Sequence, residues 1–405
     1  VNRRGARASG APKKARSEVK FLRTVSTRRL LAMIAGLVVA IAGGTAIALA
    51  ASSGGPVPRH EPLARAVHGA LSAPNVQGIS ARISFTNHLI DASDIQGPSD
   101  PILQGASGRL WFSPATGQLR VELQSDSGDG QIVVNDRSFW IYDPTSNTAY
   151  EGSLPARHKE GDRHTTDAIP SVSRIRSGLS KLMERVNLSG AIPGDIAGRP
   201  AYTVRLSPKH AAGLLGDAQL AWDAARGVPL RFAIYARGES SPVVELKATD
   251  ISYGTVPSSD FTVSPPSGAK IVKVSAPSGS HSHLRKGQTA ERLPFTVLAP
   301  KTLVGLPRRA VTRLDWGGSP AVVVAYGRNL GGIAVLQQSA SAHSKLNLGS
   351  GGRGLSLPTV SIDGVTGQEL DTALGTMIRF TRGKVTYTVL GSVPPAAAEL
   401  AARAL

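Results

Sequence analysis

Residues 108–152 read GRLWFSPATGQLRVELQSDSGDGQIVVNDRSFWIYDPTSNTAYEG. Leu110 and Phe112 alternate with Arg109, Trp111 and Ser113. Leu119, Val121 and Leu123 alternate with Gln118, Arg120 and Glu122, and Phe139 and Ile141 with Trp140 and Tyr142. A period of two puts one set of side chains on an apolar face and the other on a wetter one, the mark of β-strands. Turn-forming runs, SPATG at 113–117, SDSGDG at 125–130 and DPTSN at 143–147, separate the strands. Antiparallel strands with one apolar face must close on themselves or be covered.

The same period continues outward. Tyr202, Val204 and Leu206 alternate with Thr203 and Arg205. Leu230, Phe232 and Ile234 alternate with Arg231 and Ala233, and Val244 and Leu246 flank Glu245. One segment differs: in 169–186 the apolar positions Ile169, Val172, Ile175, Leu179, Leu182, Met183 and Val186 are spaced by threes and fours. That spacing predicts an amphipathic helix over 169–186, placed to act as a lid on the open apolar face.

The chain has 405 residues, no cysteine and a net charge of +18. Without cysteine there is no disulfide framework, no thiolate metal site and no lipidated N-terminal cysteine. Half of the charge is local: residues 1–29 carry ten basic side chains and one acid, Glu18, a net of +9. The next stretch, LLAMIAGLVVAIAGGTAIALAA at 30–51, is 22 residues without a charge. At about 1.5 Å per residue it spans a hydrocarbon core of about 30 Å. A basic flank before the span predicts a cytoplasmic N-terminus and an extracytoplasmic bulk, in a single-pass cell-membrane protein. Ala48-Leu49-Ala50 leaves open a cleaved and secreted form, and Arg28-Arg29 a twin-arginine signal. The basic tail is read as a topology signal near anionic lipid rather than a nucleic-acid site, since aromatics are only 5%.

Ser, Gly and Pro mark linkers at 52–64 and 273–294. The expected organisation is a basic tail (1–29), a membrane helix (30–51), a larger strand-rich unit (65–272) and a smaller unit (295–405). In the smaller unit, strand patterns lead to a hairpin around Arg382-Gly383 and a terminal helix introduced by Pro394-Pro395. The expected fold class is α+β.

The order ISARISF, GRLWFSPATGQLRVEL, GQIVVNDRSFWIYDPTSNTAYEG, GRPAYTVRLSPK, LAWDAARGVPLRFAIY, VVELKATDISYG and DFTVSPPSGAK carries a resemblance. Over 65–272 it resembles the LolA-type lipoprotein-carrier superfamily, its actinobacterial exported relatives, and the N-terminal domain of RseB-type sigma-factor regulators. The most telling runs lie at 132–144, 223–231 and 249–266. Residues 295–405 resemble a small domain of anti-sigma-related and exported proteins of Gram-positive bacteria. The resemblance implies a strongly curved antiparallel half-barrel closed by helices, with an apolar cavity for acyl chains. Its lining is expected among Leu110, Phe112, Val121, Leu123, Ile132, Val134, Phe139, Ile141, Ile175, Leu179, Leu182, Met183, Val204, Leu206, Trp222, Leu230, Phe232, Ile234, Val244 and Leu246. The partners so implied are a lipid or lipidated protein at the cytoplasmic membrane, or a membrane regulatory protein if the chain acts as an envelope-stress sensor. The basic tail is too short for a usual sigma-binding domain.

Motifs for bond-making chemistry are weak. GSGGRG at 349–354 matches a dinucleotide fingerprint, but LSLPTVSID follows where a helix should open. His281 and His283 lie in a linker without a neighbouring carboxylate. Asp126 and Asp129 lack calcium-loop spacing, and Asp91, Asp94 and Asp100 are spread through a Gly/Pro/Ser-rich loop. Neither a G-x-S-x-G elbow nor H-E-x-x-H occurs. No catalytic residue, metal, cofactor or nucleic acid is expected.

Overall fold

Every hairpin expected between 108 and 152 forms. The computed structural model describes residues 57–90, 105–124, 128–135, 138–154, 170–210, 213–274, 282–283, 293–316, 319–328, 331–340 and 357–405. In chain order the first strands are β1 (Ile79–Asn87), β2 (Ala106–Ser113), β3 (Gln118–Gln124), β4 (Gly130–Asn135), β5 (Ser138–Asp143) and β6 (Thr148–Ser153). They continue with β7 (Val186–Leu188), β8 (Ile192–Ile196), β9 (Arg199–Pro208), β10 (Leu215–Asp223), β11 (Pro229–Ala236), β12 (Val244–Tyr253) and β13 (Lys270–Val274). Among the described residues these make one 13-stranded sheet in the order β13-β6-β5-β4-β3-β2-β1-β12-β11-β10-β9-β7, with β8 on β9. Pairing is antiparallel except between β13 and β6. The sheet curls into a half-barrel.

β1 is the seam: it pairs with β2 on one side and β12 on the other, joining the early hairpins to the late ones. Two helices accompany the sheet, α1 (Leu63–Ser72) and α2 (Val172–Leu182). After β12 the chain turns through a 3-10 helix at Ser258–Phe261 and crosses the outer side of β3–β5 as a strap. Arg120 Nη1 donates to Asp260 O (2.9 Å), Asn135 Nδ2 to Phe261 O (3.0 Å) and Trp140 Nε1 to Val263 O (3.2 Å). The strap ends in β13, which carries the sheet to Val274 within the segment expected to start the second linker.

The second sheet holds β14 (Ser282–His283), β15 (Thr302–Leu303), β16 (Leu306–Trp316), β17 (Ser319–Tyr326), β18 (Ile333–Ser339), β19 (Thr359–Ile362), β20 (Val365–Thr372), β21 (Gly375–Arg382) and β22 (Val385–Gly391). Its order is β14-β16-β17-β18-β22-β21-β20-β19, with β15 on β16. The terminal helix α3 (Pro395–Arg403) places Ala398, Ala401 and Ala402 in one core with Val322, Val324, Val335, Ile378 and Phe380. The fully buried Gln337 ties the segment before β15 to this core: its amide donates to Leu298 O (2.6 Å) and accepts from Leu298 N (2.8 Å).

Two expectations change. The described chain is mostly β with few helices rather than α+β, because two large sheets outweigh three short helices. The helix expected over 169–186 runs only from Val172 to Leu182. Ser171 caps its start by accepting from Arg174 N, and Met183 caps its end with its N–H on Leu179 O. Val186 then pairs with Pro208, so strand pairing overrides the continuing apolar period. The basic tail and the apolar run at 30–51 lie outside the described residues. Within those residues no helix is long and apolar enough to cross a membrane.

Candidate functional site

Directly opposed residues of antiparallel neighbours share a face, so the register shows what the half-barrel presents inward. One row runs Val204, Leu220, Phe232, Leu246, Phe85 and Ala106 across β9, β10, β11, β12, β1 and β2. A second runs Ile251, Ala81, Leu110, Val121, Ile132, Ile141 and Tyr150 from β12 to β6. A third runs Ile79, Phe112, Leu119, Val134 and Phe139. The inner face is therefore apolar from β9 across to β6.

Burial along that face is uneven. Leu119, Val121, Leu123, Ile132, Phe85 and Val244 are buried, whereas Leu110, Phe112, Val134, Phe139, Ile141, Phe232, Ile234 and Leu246 are only half-buried. A filled core would bury both sets alike; here a band of apolar side chains keeps part of its surface open.

The cover over the β9–β10 end is α1. Its Leu63, Ala66, Val67 and Ala70 pack with Tyr202, Val204, Leu206, Leu220 and Trp222. Tyr202 also pins the incoming chain, donating its hydroxyl to Arg59 O (2.5 Å). The turn after β10 is pressed against the end of α1. A Cβ on Gly227 would lie 2.2 Å from Ala70 O, and its φ of +65° is in the left-handed region that glycine tolerates. Asp223 organises this turn by accepting from Ala225 N (2.8 Å), Arg226 N (2.9 Å) and the Tyr253 hydroxyl (2.8 Å). Burial and then the bond to Asp223 push the Tyr253 phenol well above its ordinary value. Arg199 and Arg226 lie 5.2 and 5.5 Å from its ring centre. The run at 223–231 thus has a structural role: it clamps α1 onto the sheet.

The opposite face carries paired polar groups over β10–β12 and β3. Arg231 donates to Glu245 (2.6 Å), Gln219 (2.7 Å) and the Tyr235 hydroxyl (2.7 Å). Burial opposes its charge, but Glu245 and Tyr235 more than offset this, so its pKa is raised. Arg120 pairs with Glu122 and lies 5.0 Å from the Trp111 ring centre. Trp111, Trp140 and Tyr142 sit on this outer side, as their alternation predicts, and the strap crosses there.

The expected lining residues divide accordingly. Leu110, Phe112, Val121, Leu123, Ile132, Val134, Ile141, Ile234, Val244 and Leu246 meet in one cluster with Ile83 and Phe85. Val204, Leu206 and Trp222 lie under α1, and Leu230 packs with Ala221, Ala248 and Ile251. Phe139 stands opposite Val134, and Phe232 stands between Leu220 and Leu246. On α2, Ile175 is buried and Leu179 half-buried, but Leu182 and Met183 are each 40% exposed. α2 leans on α1, where His68 Nδ1 lies 2.9 Å from Pro170 O.

Sequence reasoning missed α1, although Leu63, Ala66, Val67 and Ala70 have helical spacing. It also missed Ala373 and Leu374, from the β20–β21 turn, which pack into the same cluster as Phe85 and Leu123. Among the described residues no group of three His, Asp or Glu side chains could hold a metal. His281, Asp91, Asp94, Asp100, Asp126 and the 349–354 run lie outside the described residues.

No family model matches the chain, and no curated protein matches it. Among solved structures it is similar to the MucA/MucB complex of Pseudomonas aeruginosa, at 17% identity and a TM-score of 0.38, over 84% of this chain and 94% of that one. It is also similar to a conserved protein from Thermus thermophilus, at 14% identity and a TM-score of 0.31, over 52% and 97% of the two chains. A third likeness is to a LolA superfamily protein from Nitrosomonas europaea, at 10% identity and a TM-score of 0.21, over 50% and 99%. The curled antiparallel sheet with a helix over its inner face agrees with the half-barrel expected from the sequence.

Proposed function

We propose that the chain is a membrane-anchored extracytoplasmic binding protein that takes an acyl chain, carried by a lipid or a lipidated protein, along the inner face of its half-barrel. The observation that carries this is the band of half-buried apolar side chains, Leu110, Phe112, Phe139, Ile141, Phe232, Ile234 and Leu246, on an otherwise buried apolar face. The mechanism is burial rather than bond-making. Each methylene taken from water contributes about 0.8 kcal/mol, so burial of about ten methylenes matches the roughly 8 kcal/mol of micromolar binding.

The purified full chain is expected to carry lipid detectable by native mass spectrometry. After delipidation it should bind palmitate saturably. Phe232→Asp places a charge where the chain would lie and should weaken palmitate binding at least tenfold. Absence of both co-purified lipid and saturable binding overturns the reading.

The anchor is the 30–51 run, with the N-terminus in the cytoplasm. A chain tagged at the N-terminus should stay with the membrane fraction through an alkaline wash. Recovery of an untagged, soluble bulk outside the cell would show cleavage instead.

A second reading, an envelope-stress sensor acting on a membrane regulatory protein, is favoured by one observation. The two sheets touch through Ala373 and Leu374 on the very face that would bind the ligand, so occupancy could be reported to the second sheet.

A further inference from the structure

The turn between β20 and β21 reaches out of the second sheet into the first. Ala373 and Leu374 pack against the cluster that contains Phe85, Ala106, Leu123 and Val243. Ala373 N donates to Leu89 O (2.9 Å), just past the end of β1. Nearby, Leu214 N is bonded to Ser392 O (3.1 Å) and Ser392 Oγ (2.9 Å), and Ser392 Oγ donates to Leu374 O (2.7 Å). The turn is built to keep its shape: Thr372 Oγ1 accepts from Leu374 N (3.3 Å) and Gly375 N (3.1 Å).

We propose that residues 372–375 are an intramolecular occupant of the half-barrel, and that an apolar ligand and this turn exclude one another from the same end of the inner face. This rests on the acyl-chain reading above. An acyl chain and the Leu374 side chain offer the same chemistry to the same apolar residues, and two groups cannot fill one place. The described contacts that hold the turn in place are the rim bonds at Leu89 and Leu214 and the packing of Ala373 and Leu374. A chain of many methylenes outweighs that contact. Because the turn is continuous with β20 and β21, its displacement loosens the second sheet from the first. Linkage makes the effect reciprocal: whatever fixes the second sheet in place weakens ligand binding by the same factor that the ligand weakens the seating.

The cysteine-free chain allows a direct test. In the full chain carrying Leu89→Cys and Ala373→Cys, the two residues already joined by a backbone hydrogen bond are the pair to cross-link, and a bridge formed on oxidation locks the turn in place. Palmitate should bind the oxidised form at least tenfold more weakly than the same protein after reduction, which also controls for folding. Leu374→Ala, which vacates part of the place, should bind palmitate several-fold more tightly than the parent chain. Equal binding by oxidised and reduced forms overturns the exclusion while leaving the acyl-chain reading intact. Failure of the parent chain itself to bind palmitate overturns both. Where the two cysteines do not bridge, Leu374→Ala carries the test, and palmitate affinity equal to the parent's overturns the exclusion alone.

Discussion

Gly108→Ala is expected to destabilise the half-barrel by about 3 kcal/mol or more, at the upper end of what overpacking costs. Gly108 stands in β2 opposite Ile83 on β1 and Leu123 on β3. A Cβ built there would lie 1.9 Å from Glu122 O, 3.0 Å from Glu122 C and 3.2 Å from Leu123 Cα. All three are backbone atoms of the paired strand, so no side chain can rotate away. β2 and β3 would have to part, and with them the ladder that carries the early hairpins onto the β1 seam. At about 2–4 °C per kcal/mol for a unit of this size, the midpoint should fall by roughly 6–12 °C in a thermal melt followed by far-UV circular dichroism. Gly69 supplies the contrast. It is an exposed glycine inside α1 with nothing within 4 Å of a built Cβ, so Gly69→Ala should stabilise by about 0.5–1 kcal/mol. If both substitutions move the midpoint the same way, the close approach at Gly108 is not what sets its cost.

Gly108 also shows where reading the sequence stops. The alternation at 108–123 gives the strands, and SPATG gives their turn, because both signals are local. Nothing local says that β3 presses so near at Gly108, since that follows from how the sheet curls. α1 is illegible for a related reason. Its stripe of Leu63, Ala66, Val67 and Ala70 has helical spacing, but half of it is alanine, which marks an apolar face only faintly. The apolar period overruns the end of α2 by four residues, because Met183 and Val186 keep the helical spacing while β9 recruits Val186 into a strand. For the candidate site, alternation picks out the inner-face residues of β2–β5 and β11–β12, since one face of a strand is fixed by its period. It does not reveal what lies against them. Leu374 contacts residues more than a hundred positions away, and a turn sequence such as TALG carries no mark of its destination.

Phe261→Ala is expected to cost about 3–5 kcal/mol, the range for removing a buried phenylalanine. Phe261 is 1% exposed, at the end of the 3-10 turn where the strap meets β3 and β4. Its removal leaves a void on the outer side of the sheet, next to the strands that bury Val133 and Trp140. The strap's hydrogen bonds run from side chains of the sheet to strap carbonyls, so they position the strap but do not fill that void. The consequence is directional. The strap leads into β13, and β13 is the strand that shields the edge of β6, where Tyr150 is 37% exposed. Loosening the strap should therefore release β13 before the rest of the sheet. Limited proteolysis should cut first at Lys270 or Lys273, while far-UV circular dichroism still reports an intact sheet. Trp140→Phe removes the bond to Val263 and part of a buried ring, and should cost about 1–3 kcal/mol without early cleavage. Equal protection of Lys270 in the Phe261→Ala and parent chains would show that β13 holds the edge by its own pairing with β6, and that the strap merely connects it.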